Sequence, residues 1–133
     1  MEFVEIFKAL GDENRIRILN ILKEGELCVC EIESILGITQ SNASRHLNKL
    51  KSLKMISGEK KAQWVYYAID REFIIENELL YYYLRNKFDE SDLCVEDIEK
   101  LKRYKSGSFT CEELREDKEK VIKYLEGNYE CKK

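Results

Sequence analysis

Cys28 and Cys30 stand two residues apart in the segment ELCVCEI, and no other residues of this 133-residue chain are better suited to chemistry. As thiolates they are soft ligands, which select ions such as As(III), Sb(III), Cd(II) or Pb(II) over hard cations. A C-x-C by itself suits equally two cysteines that fill space as small hydrophobes. Three more cysteines follow at 94, 111 and 131. Five is an odd number, so they cannot all pair within one chain. The N-terminal stretch MEFVEIFKALGDENR carries acidic residues early and no long apolar run, so it does not read as a secretory signal. The expected compartment is a reducing cytoplasm, where cysteines serve more often as ligands or sensors than as disulfides.

Other chemistry is short of residues. The single histidine is His46, so a histidine-rich zinc site lacks ligands. There is no C-x-x-C, no second histidine to act as a base and no glycine-rich phosphate loop, which argues against an enzyme. No segment approaches the roughly 20 apolar residues of a membrane span. A hydrophobic content of 44% argues against disorder throughout.

The cysteine pair must be positioned by the elements around it. Phe3, Val4, Ile6, Phe7 and Leu10 recur at helical spacing and stop at Gly11. Asp12 can cap a second helix with Ile16, Ile18, Leu19, Ile21 and Leu22 on its apolar face. A third, short helix begins near Cys28–Cys30 and stops at Gly37. Thr39 or Ser41 caps a fourth, which runs through Ala43, Leu47, Leu50 and Leu53. The period then changes: Met55–Gly58 and Trp64–Ile69 are rich in strand formers and flank the charged tip Glu59-Lys60-Lys61-Ala62, which predicts a β-hairpin. Helical spacing resumes from Phe73 to Phe88. It returns in Leu93, Val95, Ile98, Leu101 and again in Leu114, Val121, Ile122, Leu125, with Ser106-Gly107-Ser108 as the turn between. The absence of proline fits a helix-rich chain.

Two short helices joined by a tight turn and followed by a hairpin make a winged helix-turn-helix. The expected fold is thus mainly α with a β-hairpin and a C-terminal helical extension. The domain unit would be 1–88, for DNA binding and dimerisation, with the extension over 89–133. The charge distribution agrees. The whole chain has net charge −3, yet residues 39–66 hold six bases against one acid, a local +5. That stretch contains the predicted recognition helix, with Gln40, Ser41, Asn42, Ser44, Arg45, His46, Asn48 and Lys49 expected on its outer face. Such short polar and basic groups suit base edges and phosphates. Lys60 and Lys61 on the hairpin would reach the neighbouring backbone. The helix from Phe73 to Phe88 carries more apolar surface than one small monomer needs. Leu79, Leu80 and the run Tyr81-Tyr82-Tyr83 would form a two-fold interface with Phe3 and Phe7 of the first helix.

The run from about residue 5 to 69 resembles the ArsR/SmtB family of winged-helix metal-responsive repressors. The matching blocks are FKALGDENRIRILNIL (7–22), ELCVCEI (26–32), LGITQSNASRHLNKLKSLKMI (36–56) and WVYYAI (64–69). By resemblance, ELCVCEI is the metal-sensing segment of the arsenite and cadmium/lead branches, and Ser41, Ser44, Arg45 and His46 face DNA. The resemblance also implies a homodimer that sits on operator DNA and leaves when metal binds. In arsenite sensors of this family a third cysteine follows the pair, and here that position is Glu33. In cadmium sensors extra cysteines precede the first helix, and here none precedes Cys28.

The sequence therefore predicts a cytoplasmic, homodimeric repressor released from double-stranded operator DNA by arsenite or antimonite. The alternatives are release by cadmium or lead, or by thiol oxidation. The metal ligands would be Cys28 and Cys30. The candidate third ligand is Cys111, in the first turn of a predicted helix capped by Thr110 and Glu113, with Cys94 next.

Overall fold

Seven helices and three strands form over residues 1–107, the part of the chain that the computed structural model describes. In order they are α1 (Glu2–Leu10), α2 (Glu13–Leu22), β1 (Leu27–Cys28), α3 (Val29–Leu36), α4 (Gln40–Ser52), β2 (Ile56–Lys61), β3 (Trp64–Ile69), α5 (Arg71–Glu76), α6 (Glu78–Glu90) and α7 (Asp92–Ser106). The helix-turn-helix and hairpin thus stand where the sequence placed them. The second helical segment of the extension, from Leu114 to Leu125, lies outside the described residues, as do Thr110, Cys111, Glu113 and Cys131.

Local chemistry sets most of the boundaries. Asp12 Oδ1 accepts the Arg15 amide at 3.1 Å and opens α2. Thr39, rather than Ser41, opens α4, its hydroxyl accepting the Asn42 amide at 3.2 Å. Gly37 closes α3 in the left-handed region (φ 68°), a backbone that side-chain-bearing residues resist, and so turns the chain sharply from α3 into α4. The helix expected from Phe73 to Phe88 is two helices. Asn77 breaks it at φ −128°, ψ 43°, and its amide bonds the Phe73 carbonyl at 3.1 Å, a side-chain bond that competes with the helix ladder.

The sheet has the order β1-β3-β2, all antiparallel. The wing is the β2–β3 pair, in register from Ile56↔Ile69 to Lys61↔Trp64. Lys60 and Lys61 therefore lie on strand β2, and the turn is Ala62-Gln63, with Ala62 at φ 57°. The two-residue strand β1 lacks a sequence signal of its own. It pairs Cys28 with Tyr66, so the wing is stitched directly to the start of α3.

The core is one cluster. Ile18, Leu19, Ile21 and Leu22 of α2, Ile32, Ile35 and Leu36 of α3, and Leu47 and Leu50 of α4 form its centre, with Met55 and Ile56 beneath the wing. Helix α7 joins the same cluster through Cys94, Leu101 and Tyr104. Polar bonds fix it there. The Arg17 guanidinium clasps Asp97 through Nε (2.8 Å) and Nη2 (3.0 Å), and Nη2 also donates to the Leu36 carbonyl at 3.1 Å. Asp97 is 0% exposed, and Asn20 donates to the Cys94 carbonyl at 2.9 Å. One buried fork thus ties α2, the end of α3 and α7 together.

A buried carboxylate stripped of its partner is far costlier than an exposed one. Arg17→Ala is therefore expected to lower the unfolding free energy by about 3–5 kcal/mol in a urea titration. A loss under about 1 kcal/mol, the scale of an exposed ion pair, would show that the clasp does not hold α7.

Candidate effector and nucleic-acid sites

Cys28 is the N-cap of α3, with extended backbone (φ −89°, ψ 169°) and 1% exposure. Cys30, in the first turn of the helix, is half-buried and packs against the core. The two thiols therefore do not both sit on regular helix, where positions i and i+2 would point about 200° apart. The restraint on Cys28 is a different one. It occupies the serine or threonine position of a capping box, its sulfur over the Glu31 amide, while Glu31 Oε1 accepts the Cys28 amide at 2.9 Å. The other Glu31 oxygen accepts the Tyr104 hydroxyl from α7. Spacing of the C-x-x-E type could have exposed this box in the sequence, had cysteine been read as a stand-in for serine.

The donor set at this turn is two sulfurs, which suits a soft ion. Among the described residues no group of three or more His, Cys, Asp or Glu side chains is arranged to hold one. Cys94 is not brought to the pair. It is buried in the first turn of α7, ten residues before Tyr104, which is about 15 Å along a helix axis. The pair thus fits a soft ion as an incomplete set of ligands.

The recognition helix α4 buries Ala43, His46, Leu47 and Leu50. Its outer face shows Gln40, Ser41, Asn42, Arg45, Asn48 and Lys49, with Ser44 half-buried at the edge. Asn42 Oδ1 accepts from Arg45 Nη2 at 3.1 Å, which orients both side chains. Lys49 lies 4.0 Å from Glu5 of α1. On the wing Lys60 is exposed, while Lys61 is held by Glu26 at 2.5 Å and lies 3.9 Å from Glu59. The Glu26 bond raises the Lys61 pKa above its ordinary value. Lys61 would have to exchange Glu26 for a phosphate to contact a nucleic acid.

His46 is the clear correction. Expected on the outer face, it is 1% exposed and points into the molecule. Its place in the stripe 43, 46, 47, 50 is the reason: that is the face α4 packs on the core. Arg15 Nη1 approaches His46 Nδ1 at 3.3 Å. A guanidinium can only donate, so this contact is made by a neutral ring with Nδ1 as acceptor, the form we assign to His46. Nε2 lies 3.8 Å from Asp12 Oδ1. Arg15 also donates to the Ala9 carbonyl at 2.7 Å. The histidine therefore docks α4 on the start of α2. Burial holds its pKa below 6.5, with Asp12 opposing and Arg45 and Arg15 assisting. Burial raises the Asp12 pKa, but the hydrogen bond from the Arg15 amide, the Arg15 charge and the Asn14 amide act the other way, so Asp12 is lowered.

A third surface is apolar. Phe3 and Phe7 of α1 are 60% and 58% exposed, and Leu79, Tyr82 and Tyr83 of α6 are 86%, 69% and 57% exposed. Leu80, expected with them, packs on the protein's own core instead, and Tyr82 shows more surface than Tyr83.

Together these features define a winged helix-turn-helix whose first recognition-unit helix begins on a thiol pair. The chain belongs to the arsR family of bacterial regulatory proteins, whose model matches residues 12–57. It is 40% identical over 75 residues to a cadmium resistance transcriptional regulatory protein, the CadC homolog of Staphylococcus aureus, covering 56% of this chain and 62% of that protein. It is 44% identical over 68 residues to the arsenic resistance transcriptional regulator ArsR1 of Pseudomonas putida, covering 50% of this chain and 53% of that protein. The chain thus spans less than two thirds of the length of these relatives. Among solved structures it resembles the homodimeric winged helix-turn-helix DNA-binding domain Mb0332 of Mycobacterium bovis, with TM-score 0.56 and 27% identity over 65% of this chain and 80% of that one. These relatives are transcriptional regulators and not enzymes.

The buried histidine sets a pH dependence. Between its lowered folded pKa and the unfolded value of 6.5, the unfolded chain binds a proton that the folded chain does not. Stability therefore rises with pH in that window. The His46 contribution is fully present above pH 6.5 and is lost as the pH falls below it. Chemical denaturation from pH 5 to 7 is expected to show this slope in the wild type and a flatter one in His46→Gln. Equal slopes would contradict a buried neutral imidazole.

Proposed function

We propose that this chain is a homodimeric transcriptional repressor that binds operator DNA through α4 and the β2–β3 wing and releases it when a soft ion binds Cys28 and Cys30. The observation that carries the reading is the position of the thiol pair. It begins α3, the helix that leads through Gly37 into α4, and β1 pairs Cys28 with Tyr66 of the wing. Both elements with exposed bases are thus linked to one turn, α4 through α3 and the wing through β1. The local charge of +5 over residues 39–66 supplies the phosphate contacts.

Cys28 and Cys30 would hold the ion as thiolates, which is the chemistry soft ions require. Cys28 cannot present its sulfur while it is buried in the capping box, so binding favours a conformation in which that turn is open. A ligand with unequal affinity for two conformations shifts their populations, and here the shifted element positions the recognition helix. A third thiolate comes from Cys111. Tyr104 already rests on the Glu31 turn, and Cys111 follows seven residues later, a reach of roughly 25 Å for extended chain. Arsenite or antimonite, which take three thiolates, fit this count, and cadmium or lead are the alternative. The names of the relatives include arsenic and cadmium regulators alike.

The apolar surface of Phe3, Phe7, Leu79, Tyr82 and Tyr83 would be the two-fold interface. A dimer places two recognition helices for half-sites one turn apart, roughly 34 Å. Leu79→Glu would put two carboxylates into that interface. It is expected to sediment as a folded monomer and to bind operator at least about 100-fold more weakly, the loss of two-site engagement. A dimer of unchanged affinity would place the interface elsewhere.

The effector reading is tested by fluorescence anisotropy on operator DNA. Arsenite is expected to weaken wild-type binding by about 5- to 150-fold, the usual range of allosteric coupling. Cys28→Ser or Cys30→Ser should abolish the response without weakening the unliganded complex. Affinity unmoved by arsenite, antimonite, cadmium and lead would end this reading.

A further inference from the structure

Helix α7 finishes against the turn that carries the cysteine pair. Tyr104, buried in its last turns, donates its hydroxyl to Glu31 Oε2. Glu31 Oε1 meanwhile accepts the Cys28 amide at 2.9 Å. One carboxylate therefore has each oxygen committed, one to the residue that must move and one to a different helix. That helix is anchored independently of α3's first turn. Its Cys94 carbonyl is held by Asn20 at 2.9 Å and its Asp97 by Arg17 at 2.8 and 3.0 Å, both partners lying on α2. Tyr104 is thus a fixed post, and opening the Cys28–Cys30 turn pulls Glu31 away from it.

We propose that Tyr104 and Glu31 are positioning residues that set how readily the Cys28–Cys30 turn opens, so that the C-terminal helix tunes the effector concentration to which the protein responds. This inference rests on the soft-ion reading of the cysteine pair. When only a fraction of molecules has the open turn, the apparent affinity for a ligand of that state falls by the same fraction. A hydrogen bond to a carboxylate in the closed state lowers the open fraction. Removing the bond raises it, so the effector binds more tightly although no ligand atom has changed. This latch has no local motif, because its two halves lie 73 residues apart.

The test uses the full chain. Tyr104→Phe keeps the ring that fills the core and deletes only the hydroxyl. Glu31→Ala removes both bonds, and Glu31→Gln keeps an acceptor for the Cys28 amide. Two readouts are taken beside the melting temperature. One is arsenite affinity, followed by thiolate absorbance. The other is the rate of Cys28 alkylation by N-ethylmaleimide without any metal, followed by peptide mass spectrometry. Tyr104→Phe is expected to bind arsenite about three- to tenfold more tightly, the scale of one hydrogen bond, and to alkylate at Cys28 faster by a similar factor. Glu31→Ala should exceed it, and Glu31→Gln should stay nearer the wild type. Unchanged or slower alkylation with unchanged arsenite affinity in Tyr104→Phe, whatever its melting temperature, would overturn the inference and leave Tyr104 a purely structural residue. A wild type that binds no arsenite would instead refute the effector reading, and the alkylation rates would still decide the role of Tyr104.

Discussion

The Glu31 carboxylate at the head of α3 is the constraint on which the rest of the site depends. It satisfies the Cys28 amide, which would otherwise be an unpaired donor at a buried helix start. It thereby fixes Cys28 as the boundary between β1 and α3. That boundary fixes the pairing of Cys28 with Tyr66 in the wing, and at the other end of a two-turn helix it fixes the Gly37 turn that aims α4. A short helix has little freedom to absorb a change at one end. Cys28 is therefore joined to both elements that carry the exposed bases, to α4 through α3 and to the wing through its pairing with Tyr66.

Electrostatics divides the same molecule into an outside and an inside. The exposed bases of α4 and the wing lie on elements whose other faces are apolar, so the positive surface is local and survives a net negative chain. Inside, the buried Asp97 and His46 are each answered by a partner. Asp97 is bidentate to Arg17, and His46 is neutral between Arg15 and Asp12. These buried polar contacts join α2 to α4 and α7, and they fix the angle at which apolar packing alone would leave the helices free to slide.

The helix-turn-helix and the hairpin were legible in the sequence because their signals are local: apolar spacing, caps such as Asp12, and a change of period at Met55. The thiol pair was legible for the same reason. His46 was misplaced because its polarity was weighed above its position on the buried stripe of α4. The break at Asn77 escaped because the apolar pattern continues across it while the side chain bonds the Phe73 carbonyl. The contacts of α7 had no local signature at all. Arg17 with Asp97 and Glu31 with Tyr104 are 80 and 73 residues apart, and only the folded core brings them together.

In the proposed switch, a ligand of the cysteine pair acts by opening the first turn of α3. Backbone hydrogen exchange of the protein, with and without arsenite, tests this directly. The amides of Val29–Leu36 are expected to lose protection on arsenite binding while those of Ile18–Leu22 keep theirs. Operator release accompanied by unchanged or stronger protection of Val29–Leu36 would contradict it.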